Sequence, residues 1–248
     1  MKEQKVLFED LGLMYYEAAW KYQEELLQQN LKIKSDAGSY SLSKEVDPFS
    51  LPTKHYLLFV EHPPVYTLGK SGKIEHVLIN EEQRSQKGIQ FFHTNRGGDI
   101  TFHGPQQIVG YPIFDLEKFY TDIGKYLRDL EEVIILTLAE YGIESGRSKG
   151  ETGVWIDADI KGKERKICAM GVRCSRWVTM HGFALNVNTD LNYFNFIIPC
   201  GIQNKKVTSI KEELGRQVAM EEVKEKLKRN FEKVFGLVIE ESQNSFAK

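Results

Sequence analysis

"KICAMGVRCSRWVTMHGFALNVNTDL", Lys166 to Leu191, decides the fold. It reads as two apolar strands, Lys166–Cys174 and Val178–Val187, joined near Arg176. More strand-like runs precede it: Val6–Glu9, His55–Glu61, Val65–Leu68, Gln90–Thr94, Asp99–Phe102, Ile108–Leu116 and Val154–Ala158. Helical spacing marks Leu13 to about Leu31, about Thr121 to Tyr141, and about Met220 to Phe235. Thr121 or Asp122 would cap the second of these, and Leu237–Glu241 closes the series as a strand. Strands come in clusters with helices between the clusters. That is not the regular alternation of a doubly wound sheet, so the predicted class is mixed α/β of the α+β kind. One domain over residues 1–248 is expected. About Lys34 to Pro52, rich in Ser, Asp, Gly and Pro, is predicted to be a surface-loop insertion.

The composition narrows the function. Hydrophobic residues are 41% of the chain, enough for a sizeable core, and the 27% charged residues are ordinary for a soluble protein. A net charge of −2 gives no electrostatic case for nucleic acid or an anionic membrane. No run approaches the length of a membrane span, and MKEQKVLFEDLG lacks the apolar segment of a signal peptide. A cytoplasmic protein is predicted. Three cysteines, Cys168, Cys174 and Cys200, are too few for a disulfide framework, and no CxxC pair suggests a metal site. "LGKS" at Leu68–Ser71 ends like a phosphate-binding loop, but position 64 is Pro64 where that loop needs glycine.

Three stretches could carry chemistry. In "NRGGDITFHGPQQIVGYPIFDL", Asn95 to Leu116, the paired glycines let backbone approach a ligand closely. Asp99, Thr101 and His103 alternate onto one face of the strand that follows. The plainer reading is a hairpin with turn chemistry. In the Lys166–Leu191 stretch, Lys166 opens an apolar strand, where burial could tune its pKa. His181-Gly182 interrupts the next strand, as a bulge or close backbone approach would. A lone strand histidine is more often a satisfied core residue than a catalyst. Cys168 and Cys174 read as small buried hydrophobes, although Cys168 shares a face with Lys166 by alternation. In "IIPCGI", Cys200 sits between a proline and a glycine, a turn that can present a thiol to a cleft.

Together these stretches resemble the lipoyl(octanoyl) transferases of the LipB type, the octanoyl-[acyl-carrier-protein]:protein octanoyltransferases. "RGGDITFHGPQQ" resembles the family's Arg-Gly-Gly-x-x-Thr-aromatic-His-Gly-Pro-x-Gln block, "KICAMGVR" its Lys-Ile-x-x-x-Gly-x-Arg strand, "HGFALNVN" its His-Gly block, and "PCG" its Pro-Cys-Gly. "VEHPPVYTLG" and "GVWI" also fit. The resemblance covers about Gly12 to Leu214, apart from the insertion near 34–52. One departure is Gln106, where the family commonly has glycine.

The resemblance implies the catalytic-domain fold of biotin and lipoate protein ligases, a mixed sheet with flanking helices. It implies Cys200 as nucleophile, forming an octanoyl thioester, and Lys166 as the group that lowers its pKa and shuttles protons. Arg96, Gly97, Gly98, Asp99, Ile100, Thr101, Phe102 and His103 would line the acyl pocket. Ala169, Met170, Gly171, His181, Gly182, Phe183 and Ala184 would complete it. The donor would be octanoyl-acyl carrier protein. The acceptors would be lipoyl domains of 2-oxoacid dehydrogenase E2 subunits and the glycine cleavage H protein. No cofactor or metal is implied. Burying seven carbons beyond the carbonyl would contribute about 5 kcal/mol. Lys205, Lys206 and Lys211 could form a basic rim for an acidic carrier. Three alternatives compete. An ATP-dependent ligase of the same fold would not need the cysteine. A non-catalytic carrier-binding module would tolerate loss of Cys200 or Lys166. A Cys–His hydrolase would use His181 as base.

Overall fold

In the computed structural model, residues 3–40, 47–198 and 206–242 are described. The deciding stretch is an antiparallel hairpin of β8 (Arg165–Ser175) and β9 (Val178–Asn186), with Cys168 opposite Leu185 and Ser175 opposite Val178. Its two turn residues, Arg176 and Trp177, have φ of +47° and +64°. A tight hairpin needs this left-handed pair so that the turn follows the strand twist.

Around the hairpin a mixed sheet grows. β9 pairs antiparallel with β6 (Gln107–Ile113), and β6 with β2 (His55–Glu61). β2 runs parallel to β1 (Gln4–Leu13), and β1 parallel to β11 (Leu237–Glu241). On the other side of β8 lie β7 (Val154–Ile156), antiparallel, and β10 (Lys206–Val207), parallel. A smaller sheet has β3 (Val65–Leu68) between β4 (Gln90–His93), parallel, and β5 (Ile100–His103), antiparallel.

The large sheet is covered on both faces. Leu57 and Phe59 of β2 point to a core shared with α3 (Ile123–Ala139) and α5 (Met220–Phe235). Tyr56, Leu58 and Val60 point to a second core under α1 (Tyr16–Tyr40). Burial on both faces explains why HYLLFVE reads as an apolar run rather than an alternation. Along α5, Val223, Leu227, Phe231 and Phe235 recur at helical spacing and are buried. Each contributes about 1.5–3 kcal/mol by leaving water. Of the two candidate caps on α3 the structure uses Asp122, whose side chain accepts from the Lys125 N–H.

The expected loop beginning at about Lys34 is corrected in its first part, because α1 continues through Tyr40. The Lys34 ammonium reaches the buried Asp115 carboxylate at 2.5 Å and Glu117 at 3.0 Å. That buried pairing fixes the turn of helix in which poor helix formers follow. Local propensity is overridden by a tertiary contact. β1 is longer than expected at both ends. α2 (Glu81–Gln86), with its Asn80/Gln83 capping box, and α4 (Ile210–Leu214), capped by Ser209, were not legible as helices. No helix among the described residues is long and apolar enough to cross a membrane.

Candidate active site

A cavity of about 610 Å³ opens between the hairpin and the smaller sheet. Its walls come from close backbone contact. The Gly97 N–H donates to the Val172 carbonyl on β8 at 2.9 Å, so the Arg-Gly-Gly turn lies directly on the strand. A Cβ at Gly171 would stand 2.6 Å from the Gly97 oxygen. One at Gly182 would stand 2.2 Å from the Gly110 oxygen and 2.6 Å from Pro112 Cδ. β9 is continuous through His181-Gly182, so the interruption read there is a close approach, with His181 at φ +58°. Gly182→Ala is expected to lower stability by about 1–3 kcal/mol through this overlap with rigid backbone. A urea midpoint unchanged from the parent protein would contradict the packing.

Arg96, Gly97, Gly98, Asp99, Ile100, Thr101 and His103 all line the cavity. Lys166, Ala169, Met170, Gly171, His181, Gly182, Phe183 and Ala184 line it too. Phe102 does not, and the expectation for it is corrected. It is 1% exposed, stacks on Tyr193 at 4.7 Å, and belongs to the core beneath the smaller sheet. Strand alternation sends it to the face opposite Thr101 and His103.

Sequence reading also missed residues of the wall. Tyr16 comes from α1, Val109 and Tyr111 from β6, Ile123 and Leu127 from α3, and Glu151 and Thr152 from the loop before β7. Tyr111 and Val109 sit in an apolar strand where nothing distinguishes a pocket wall from core. Tyr111 hydrogen-bonds His62 Nε2 at 2.8 Å, and His62 Nδ1–H donates to the Met14 carbonyl at 2.7 Å. Tyr16 stacks on His103.

Arg96 organises the turn. Its guanidinium donates to the carbonyls of Gly97, Thr67 and Asp99, at 2.9, 2.6 and 2.8 Å. Buried at the cavity wall, it also disfavours positive charge on the nearby rings. Burial and this cation hold His103 well below its ordinary range and His181 at about 3. Burial lowers His62 to about 4 and raises Tyr16 to about 12. These histidines are neutral. His181, whose Nε2–H donates to Asn95 Oδ1 at 2.7 Å, is therefore a poor general base. It lies opposite Val172, six positions along β8 from Lys166, roughly 20 Å at strand rise.

Neutral burial links to stability. His55, at about 4, His62 and His181 have folded pKa values below the unfolded 6.5. The unfolded chain binds protons first as pH falls. Their contribution is complete above pH 6.5 and is lost downward through about 4. Stability is expected to fall by on the order of 2 kcal/mol per histidine between pH 6.5 and about 5. Urea melts at the two pH values check this, and equal midpoints would argue against neutral burial.

At the other end of the cavity stands Lys166, 8% exposed, its Nζ 4.6 Å above the Trp155 ring. Cys168 belongs to the core on the α3/α5 side of the sheet, and burial raises its pKa. A bulge at Val154/Trp155 shifts the register of β7 on β8 between Lys166 and Cys168. Cys174 is half-buried, burial raises its pKa, and neither cysteine lines the cavity. Cys200 and Lys205 lie outside the described residues. Their described neighbours are fixed. The Ile198 N–H donates to the His76 carbonyl at 2.8 Å, Val207 pairs with Lys166, and the Thr208 N–H donates to the Lys166 carbonyl at 2.9 Å.

Gln106 takes φ +62°, a conformation that favours the glycine it replaces. Its N–H donates to Glu61 at 2.7 Å, and its carbonyl accepts from the Asn188 N–H and the Thr189 hydroxyl. Among the described residues, no three His, Cys, Asp or Glu side chains converge as a metal site.

Residues 15–232 match the family model for the lipoyl protein ligase A/B catalytic domain. The chain is 60% identical over 234 residues to an octanoyltransferase of Flavobacterium johnsoniae, covering 93% of this chain and 97% of that one. It is 53% identical to an octanoyltransferase of Cytophaga hutchinsonii, covering 97% and 96%. Among solved structures it resembles lipoate-protein ligase A bound with ATP, with a TM-score of 0.66 at 15% identity, covering 97% and 88%. It also resembles the bipartite lipoate protein ligase of Thermoplasma acidophilum, at 0.65 and 17%, covering 98% and 87%. At these identities the structures speak for the fold alone.

Proposed function

The chain belongs to the octanoyltransferases of the lipoyl protein ligase A/B catalytic-domain family, and on that premise we propose a route for its acyl transfer. It is an acyltransferase. In our reading the octanoyl group leaves octanoyl-acyl carrier protein, rests on Cys200 as a thioester, and ends on the lysine of a lipoyl domain. The observation that carries the reading is Lys166. A buried lysine stands at one end of a largely apolar cavity, and the strand re-entering after Cys200 pairs beside it.

The Lys166 ammonium stabilises the Cys200 thiolate. The thiolate attacks the donor carbonyl, and the bond to the carrier's thiol breaks. Lys166 gives that leaving thiolate its proton and becomes neutral. The acceptor lysine then attacks the enzyme thioester as a neutral amine. Lys166 takes the proton the new amide nitrogen sheds, and Cys200 leaves as thiolate. The exchange of one thioester for another needs no ATP. Lys206, exposed on β10, supports docking of an acidic carrier on this side.

Intact mass measurement after mixing the protein with octanoyl-acyl carrier protein, without ATP, tests the reading. An octanoyl adduct mapped to Cys200 and discharged by a lipoyl domain is expected. Modification of the lipoyl domain only when ATP and free octanoate are supplied would make the protein a ligase instead.

A further inference from the structure

Behind the main cavity lies a second one of about 20 Å³, and the two share Thr101, Lys166, Ala169 and Ala184 in their walls. Gln107 and Asn186 are the other polar side chains around it. This volume suits one water molecule, which also needs two to four polar partners.

The partners can be read from the fixed amides. Gln107 Nε2 donates to Asn186 Oδ1 at 2.9 Å and to the Phe102 carbonyl at 3.2 Å. Gln107 Oε1 accepts from His103 Nδ1–H at 2.9 Å. Asn186 Nδ2 donates to the Thr208 carbonyl at 2.9 Å, and Thr208 holds the Lys166 carbonyl. Asn186 Oδ1 and Gln107 Oε1 thus each keep a second lone pair. Thr101 makes no side-chain hydrogen bond to another described residue. Its hydroxyl can donate or accept, and Lys166 supplies N–H donors.

We infer that this small cavity binds one ordered water that solvates the Lys166 amine, and that the Thr101 hydroxyl is the positioning residue that holds the water. The water accepts an N–H from Lys166 and donates to Thr101 Oγ1 and to an amide oxygen of the Gln107–Asn186 pair. It stays hydrogen-bonded to Lys166 in both protonation states and carries no proton out of the site. Lys166 thereby keeps one direction fixed while its remaining valence serves the reacting groups. The inference rests on Lys166 being the acid–base group of the proposed transfer.

Two measurements test it. A high-resolution crystal structure of the full chain is expected to show water density in contact with Thr101 Oγ1 and Lys166 Nζ. A dry cavity would overturn the inference. Single-turnover discharge of the octanoyl-enzyme to a lipoyl domain provides the second. Thr101→Val keeps the shape and removes the hydroxyl, and is expected to slow discharge about tenfold, the scale of one lost hydrogen bond. The KM for the lipoyl domain should not change, the melting temperature should stay near that of the parent, and Thr101→Ser should recover most of the rate. Parent-like discharge by Thr101→Val, or equal slowing by Thr101→Ser, sinks the role of the hydroxyl. If the parent protein forms no thioester at all, the transfer route has failed. The crystallographic result then still decides whether the water exists.

Discussion

Cys200→Ala is expected to remove all detectable octanoyl-enzyme and to lower transfer at least about 10⁴-fold, the scale of losing a covalent nucleophile. The fold should survive, because the segments on either side, ending at Ile198 and beginning at Lys206, are held by backbone contacts to His76, Glu164 and Lys166. Neither remaining thiol should take over. Cys168 is fully buried in the core and burial disfavours its thiolate, while Cys174 lies outside the cavity wall. A reactive thiol must reach its substrate as a thiolate, and both fail that requirement. The check is intact mass after donor addition, with rates followed by lipoyl-domain modification. Normal transfer by the alanine variant would remove Cys200 from the mechanism. An adduct found on Cys168 or Cys174 would relocate it.

Lys166 gives the second large effect, and two substitutions separate its duties. Lys166→Met keeps the apolar stem against Trp155 and loses the amine. Transfer should fall about 10³-fold, within the usual range for a general acid–base group. Lys166→Arg keeps a cation, so the Cys200 thiolate is still stabilised. Guanidinium does not deprotonate in this pH range, however, so it cannot accept the acceptor's proton. Thioester formation should continue at a reduced rate while its discharge falls about as far as in Lys166→Met. Rapid quenching with mass detection separates the two steps. If Lys166→Arg discharges its thioester as fast as the parent protein, Lys166 is not the base.

Much of this architecture is legible in the sequence where physical pattern and burial coincide. β2, β3, α5 and β11 begin and end where their apolar patterns do. The cavity wall is legible because close backbone packing demands glycine, and Gly171 and Gly182 mark where β8 and β9 meet neighbouring backbone. Phe102 departs from its motif neighbours because its ring packs into the aromatic core with Tyr193 and Phe194. Tyr16, Val109 and Tyr111 escaped because a residue lining an apolar cavity and one in a core have the same chemistry. The extension of α1 escaped because its cause, the Lys34–Asp115 pair, joins residues far apart in the chain. β10 has two residues, too few for any periodicity, yet it sets which segment lies beside Lys166.

The pairing of β1 with β11 also has a consequence for how the chain is made. Val6 and its neighbours emerge from the ribosome more than 200 residues before their partners around Ile239. At ordinary rates of synthesis that interval is roughly 10–45 s. Until it ends, β1 can rest against β2 on one side only, and its other edge offers unpaired amides to any passing strand. Lys5 and Asp10 put charge on that strand, which discourages wrong partners during the wait. The edge of β1 is thus closed only once β11 has been made.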